Sequence, residues 1–181
     1  SSKTANALMT PFNYEEKGKT VWLIKPATDT RDGIATIRSR IGLSKEAVVV
    51  LPTDNLVERC PEGIDVVICD ECQFLTEQQV DELRQLASLH DIPVLCFGLR
   101  ADFLSHLFPG SKRLFELADS ITEIKSICRC GSKAIINARF DENGKVCTEG
   151  DQVVLGGNDV YEGLCWNCWH KLITEGKSRY D

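Results

Sequence analysis

Two adjacent carboxylates close an apolar run in Val66-Val67-Ile68-Cys69-Asp70-Glu71-Cys72-Gln73-Phe74. A continuous apolar run of this length reads as a strand buried on both faces. In an open parallel sheet, ligands bind beyond the carboxyl ends of the strands, so Asp70 and Glu71 would project to where a cation or a proton is handled. The chain opens Ser1-Ser2-Lys3-Thr4 and runs into the helix-forming Ala5-Asn6-Ala7-Leu8-Met9. That matches the second half of a P-loop, G-x-x-x-x-G-K-[ST], entering its helix. A phosphate cradle and an acidic strand end together imply a nucleotide with magnesium. Each also has a plainer reading: Lys-Thr can open an ordinary helix, and an Asp-Glu pair can cap one or line a solvated loop.

A second group of candidate ligands is Cys128-Arg129-Cys130-Gly131 with Cys165-Trp166-Asn167-Cys168. Two close pairs about 35 residues apart, each on a tight turn, could place four thiolates tetrahedrally around zinc, as in structural zinc ribbons. Zinc would stabilise a lobe of roughly 50 residues that is too small to do so from its own core. Four free thiols or a disulfide are the alternatives, and Cys147 stands outside the scheme.

The elements that would position these groups are short apolar strands at helix-sized intervals. They are Val21-Trp22-Leu23-Ile24, Ala47-Val48-Val49-Val50-Leu51, Val66 to Cys69 and Pro93-Val94-Leu95-Cys96-Phe97-Gly98. Thr76-Glu77-Gln78-Gln79 is a capping box opening a helix with Val80, Leu83 and Ala87 on one face. Pro11 is expected to kink or end the first helix. The alternation implies an α/β fold with a parallel sheet flanked by helices. The character changes near Ile127, where the cysteine pairs bracket an expected hairpin around Asp141-Glu142-Asn143-Gly144. We therefore expect two domains, 1–127 for nucleotide and 128–181 for the zinc ribbon. Gly156-Gly157 is the main flexible spot, and there is no internal repeat.

At 181 residues with 43% hydrophobic and 27% charged residues, the chain is of globular composition, with no apolar stretch long enough for a membrane span. The abrupt start inside a motif suggests missing N-terminal residues, and no leader sequence is recognisable. A net charge of −6 argues against a general grip on nucleic-acid phosphates. Residues 141–162 deepen that argument, with Asp141, Glu142, Glu149, Asp151, Asp159 and Glu162 against Lys145 alone. Nine cysteines, an odd number with Cys69 and Cys96 inside apolar runs, fit a reducing cytoplasm better than a secreted scaffold. His90, His106 and His170 are read as surface or core residues.

Taken together, Ser2-Lys3-Thr4, Asp29-Thr30-Arg31, Ser39-Arg40-Ile41-Gly42, Asp70-Glu71-Cys72-Gln73-Phe74, Gly98-Leu99-Arg100-Ala101-Asp102-Phe103 and Val154-Leu155-Gly156-Gly157 with Tyr161 before Cys165 carry a resemblance. The chain resembles the thymidine kinases of the P-loop plus zinc-ribbon type along essentially its whole length. The likeness is closest to the bacterial branch, where the first cysteine pair is also C-x-C. The family has glycine where this chain has Ser2.

The resemblance implies a transfer of the γ-phosphate of ATP to the 5′-hydroxyl of thymidine, and of deoxyuridine, giving dTMP and ADP. It implies Glu71 as general base and Arg31 as the cation stabilising the transferring phosphoryl group. Ser2, Lys3, Thr4, Asp29 and Asp70 would form the phosphate site, with Thr4 and Asp70 serving Mg²⁺. Phe74, Leu99, Phe103 and Phe108 would shape the nucleoside pocket, though without the resemblance burial tendency favours core for the three phenylalanines. A loop including Val154, Leu155, Gly156 and Gly157 would cover the base, with Tyr161 packed beside it. Cys128, Cys130, Cys165 and Cys168 would hold structural Zn²⁺. A homotetramer with feedback inhibition by dTTP is implied likewise. The alternatives are a non-catalytic nucleotide-binding P-loop protein and a zinc-ribbon protein that binds nucleic acid.

Overall fold

The computed structural model describes residues 2–28, 33–39, 42–152 and 160–181. The expected sites Asp29, Arg31, Val154, Leu155, Gly156 and Gly157 lie outside the described residues, and Ser2 is described by its backbone alone. The chain divides into two compact units, one of residues 1–100 with 108–121 and the other of residues 101–107 with 122–181. Compared with the boundary expected after residue 127, the second unit begins at Thr122 and also takes in the turn that carries Phe103.

In the first unit, helix α1 (Ser2–Glu16) precedes strands β1 (Val21–Pro26), β2 (Gly33–Arg38) and β3 (Ser44–Val50). Then come helix α2 (Leu56–Arg59), strand β4 (Val66–Cys69), a single 3-10 turn (Cys72–Phe74), helix α3 (Glu77–Leu89), strand β5 (Val94–Cys96) and helix α4 (Pro109–Leu117). The sheet order is β2-β3-β1-β4-β5. Strands β3, β1, β4 and β5 are mutually parallel, whereas β2 is an antiparallel edge strand that sequence reading did not foresee.

Apolar residues in this unit divide between the two faces of the sheet. Trp22, Ile24, Val67 and Cys69 pack with Leu56, Val80, Leu83 and Leu86. Leu23, Val66 and Ile68 pack with Leu8, Ile37 and Ala47. A strand so covered has no polar side, which is why β4 is apolar and buried throughout. The capping box of α3 forms as expected, Thr76 Oγ1 accepting from Gln79 N at 3.1 Å while Gln79 Oε1 accepts from Thr76 N at 3.2 Å. Pro11 does not end α1, which continues through it to Glu16. The strand order reverses at β1: the chain lays β3 on one side of it and β4 on the other. A crevice at the carboxyl ends of β1 and β4 is thus built into the topology.

The second unit comprises β6 (Ser126–Ile127) with β7 (Lys133–Ala134), β8 (Ile136–Phe140) with β9 (Val160–Leu164), and helix α5 (Trp166–Glu175). Its core is Cys128, Ile136, Ala138, Phe140, Leu164 and Cys165. The expected hairpin around Asp141 forms, with Gly144 N donating to Asp141 O at 3.0 Å, Asp141 N to Lys145 O at 2.9 Å, Cys147 N to Arg139 O at 2.8 Å and an antiparallel bridge from Phe140 to Val146. The main partner of β8 is nonetheless β9, some way further along the chain.

Candidate functional site

Register brings the first charged residues together. Ile24 pairs with Cys69 across β1 and β4, and Asp70 N donates to Ile24 O at 3.0 Å, so Lys25 and Asp70 follow side by side at the strand ends. Asp70 is only 5% exposed. Burial raises its carboxyl pKa, as does the neighbouring Glu71, while the Glu71 backbone, Lys25 and Lys3 pull it back. Lys3, in the first turn of α1, is lowered by burial, with the Asp70, Glu71 and Cys72 charges opposing. Lys3, Lys25, Asp70 and Glu71 therefore form one electrostatic group, two cations and two carboxylates, of which Lys3 and Asp70 are largely buried while Lys25 and Glu71 remain partly open to solvent. A buried carboxylate whose countercharges do not offset its desolvation fits a site for a cation. The first turn of a long helix carrying Lys3 and Thr4 fits a phosphate, since its N–H groups have no partners within the helix.

Glu71 adopts φ 52° and ψ 41°, left-handed backbone that a residue with a side chain rarely takes. Such strain concentrates where function demands a particular side-chain direction. Its Oε2 lies 3.5 Å from Lys25 Nζ, and the carboxylate remains 38% exposed, so it is open to a substrate. The 3-10 turn that follows is anchored by Cys72 N donating to Phe97 O at 3.0 Å.

Downstream, the side chain of Gln73, itself buried, accepts from Leu99 N at 3.1 Å, and Ser111 Oγ donates to Leu99 O at 2.5 Å. Leu99 is thus gripped on both sides of its peptide. Gly98 beside it must be glycine, because a Cβ there would come within 2.6 Å of Cys72 Sγ and 2.7 Å of Gln73 Oε1. Phe74 and Phe108 meet edge to face, ring centroids 5.6 Å apart at 85°. Three of the four expected pocket residues, Phe74, Leu99 and Phe108, accordingly share the first unit. Phe103 belongs to the second and is buried there beneath the Arg139 guanidinium, 3.7 Å from its ring centroid.

The cysteine ligands do converge. The sulfurs of Cys128, Cys130, Cys165 and Cys168 all lie within 4.8 Å of one another, the one such group of metal-binding residues found among those described. The first pair flanks a turn in which Gly131 N donates to Cys128 O at 2.8 Å. The second opens α5, with Cys165 as N-cap and its Sγ accepting from Cys168 N at 3.4 Å. Hydrogen bonds from Ser132 lower Cys130 to about 6, whereas contact with the Cys165 and Cys130 sulfurs raises Cys168 to about 12. One thiolate is therefore favoured while its neighbour keeps its proton, the behaviour of sulfurs too close to ionise together without a cation. All nine cysteines are free thiols, and four converging sulfurs suit zinc.

Sequence reading missed Lys25, Gln73 and Arg139. Lys25 was discoverable as a charge ending an apolar strand, and Arg139 as a charge inside Ile-Asn-Ala-Arg-Phe. No helix among the described residues is long and apolar enough to cross a membrane.

The sequence pattern of the family described as "Thymidine kinase" matches residues 1–169. A thymidine kinase of Vibrio vulnificus (strain CMCP6) is 44% identical over 170 residues, covering 91% of this chain and 88% of that protein. One from Legionella pneumophila subsp. pneumophila (strain Philadelphia 1) is 44% identical over 171 residues, 91% of this chain and 82% of its own. That of Enterobacteria phage T4 is 38% identical over 180 residues, 97% and 93% respectively.

Proposed function

The chain belongs to the thymidine kinase family, and on that premise we propose that it transfers the γ-phosphate of ATP to the 5′-hydroxyl of thymidine, and of deoxyuridine. Its class is phosphotransferase, and neither a non-catalytic nucleotide binder nor a nucleic-acid-binding ribbon is favoured. The observation that carries the finer reading is the strained, open carboxylate of Glu71 directly after buried Asp70 at the switch point of the sheet.

Glu71 takes the proton of the 5′-hydroxyl as that oxygen attacks phosphorus, acting as general base. Lys3 and the first turn of α1, with Ser2, hold the β- and γ-phosphates, and Asp29 is assigned to phosphate binding with them. Arg31 stabilises charge on the transferring group. Thr4 and Asp70 would hold Mg²⁺, which when bound neutralises phosphate charge. Most of the rate then comes from positioning and electrostatics rather than from covalent chemistry. Phe74, Leu99, Phe103 and Phe108 enclose the nucleoside, and Val154, Leu155, Gly156 and Gly157 read the base through their backbone beside Tyr161. Cys128, Cys130, Cys165 and Cys168 hold structural Zn²⁺. A homotetramer inhibited by dTTP and a cytoplasmic location complete the reading; free thiols throughout support a reducing compartment.

An ADP-release assay with a panel of nucleosides tests the activity. Turnover is expected with thymidine and deoxyuridine and not with purine nucleosides. No ADP release above the nucleoside-free background would overturn the reading.

A further inference from the structure

Resting on the nucleoside-kinase reading above, we infer that Arg139 is a positioning residue of the nucleoside site, fixing Phe103 and Tyr161 in place by binding three separate stretches of the second unit at once. Arg139 lies within β8 and is only 4% exposed. A guanidinium buried so deeply must be met by acceptors or an aromatic face, and here both meet it. Nη1 donates to Asp151 O at 2.9 Å and Nη2 to Glu149 O at 3.1 Å. The guanidinium carbon stands over the Phe103 ring at 3.7 Å. Across the ladder Arg139 is the register partner of Tyr161, whose side chain is also among its hydrogen-bonding neighbours, as is that of Cys147.

Gly150 supplies an independent observation. It lies between the two carbonyls that grip the guanidinium, at φ +122°, and a Cβ on it would fall on Arg139 Nη2. The far end of an arginine can usually swing aside, but this one is pinned by two carbonyls and a ring. The close approach thus requires glycine for its backbone angle and for its missing side chain. A second strap runs parallel, Gln152 Nε2 donating to Asp102 Oδ2 at 2.8 Å while Asp102 Oδ1 accepts from Leu104 N at 2.9 Å and His106 N at 3.0 Å. Asn137 Nδ2 also donates to Ala101 O at 3.1 Å. The turn bearing Phe103 is therefore tied to β8 and to residues 149–152, and Arg139 is the tie that also reaches Tyr161. Lysine could keep a charge over the ring but has no planar fork to span two carbonyls.

Steady-state kinetics on the full chain test this with R139M, R139K and G150A, each also assayed for bound zinc and thermal midpoint. In R139M the KM for thymidine should rise about 10- to 100-fold, the scale of a reacting group misplaced by a distant change. The KM for ATP and the zinc content should stay at parent values. R139K should recover part of the loss, and G150A should shift thymidine KM in the same direction as R139M. Thymidine and ATP constants rising together with loss of zinc would show general support of the fold and overturn the inference. If R139M does not fold, R139K and G150A decide: parent thymidine KM in both overturns it. A parent chain that phosphorylates no nucleoside overturns the kinase reading and this one with it. An active parent beside an R139M with unchanged thymidine KM overturns this inference alone.

Discussion

The first unit buries charges at its candidate site against the cost of desolvation, while the second gathers groups that look reactive into its core. Asp70 and Lys3 are both shifted towards their neutral forms by burial, a cost that two hydrophobic clusters on either face of a five-stranded sheet can absorb. Among the described residues the largest buried cluster of the second unit has six members, and two of them, Cys128 and Cys165, belong to the sulfur cluster. Its buried guanidinium is desolvated as well, but it is met by carbonyls and a ring. Burial of polar groups therefore signals chemistry in one unit and architecture in the other, and the neighbours of each group decide which.

The largest effect expected from this contrast is on the second unit. Chelation of zinc, or Cys→Ser at any of the four ligands, removes an interaction worth about 10 kcal/mol in comparable small metal domains. We expect one zinc per chain, and its removal should collapse the near-ultraviolet signal of Trp166 and Trp169, which belong to that unit. The Trp22 environment in the first core should persist. Metal analysis without zinc, or tryptophan signals unaltered by chelation, would break the comparison at its root.

Next in size is Glu71→Gln, which keeps the shape and removes the proton acceptor. Turnover should fall by about 10²- to 10⁴-fold with thymidine binding nearly unchanged. Parent turnover would assign the general base elsewhere.

Asp70→Asn sharpens the contrast, because activity and stability should move in opposite directions. A carboxyl whose pKa is raised on folding holds its proton more tightly in the native state. It thus lowers stability as pH climbs above its ordinary value of 3.8, and the loss persists at neutral pH. Removing the charge should raise the melting midpoint at pH 7 by about 2–4 °C, equivalent to about 1 kcal/mol for a chain of this size. The gain should vanish below about pH 4, where the parent's carboxyl is protonated in both states. The Mg²⁺ requirement should rise at the same time. A lower midpoint at pH 7 would show that the charge is stabilising as it stands.

The sequence disclosed what rests on local pattern. Strands β1, β4 and β5 and the second half of β3, Ala47 to Val50, are apolar runs that the covered faces of the sheet call for, whereas the polar opening Ser44-Lys45-Glu46 of β3 was not read as strand; the α3 capping box is a four-residue signal. Strand β2 was not legible: its pairing with β3 is antiparallel at an edge, a choice made by the partner rather than by Gly33-Ile-Ala-Thr-Ile-Arg itself. The ladder of β8 with β9 was not legible either, although the expected hairpin beside it was. The continuation of α1 through Pro11 is likewise a tertiary matter, since Leu8 and Tyr14 on either side of it join one cluster. Within the site, the converging cysteines were readable from spacing alone. Arg139 was not, because its partners are backbone carbonyls at Glu149 and Asp151, and carbonyls have no letter in a sequence.

The smallest effect, and the finest test of the first unit's electrostatics, is expected for Lys25→Met. Lys25 and Glu71 are 28% and 38% exposed, and ion pairs so open to water contribute only about 0–1 kcal/mol. Stability should hardly move. The charge of Lys25 nonetheless holds the Asp70 carboxyl down against burial. Without it Asp70 should take up its proton at a higher pH, and a protonated Asp70 cannot serve a cation. The acid limb of the kcat/KM profile should therefore shift to higher pH while the melting midpoint at pH 7 stays near that of the parent. A pH–rate profile with an unmoved acid limb would mean that Lys25 and Asp70, adjacent by register, are electrostatically independent. Of the two lysines that hold the Asp70 carboxyl down, Lys3 would then be the one that matters.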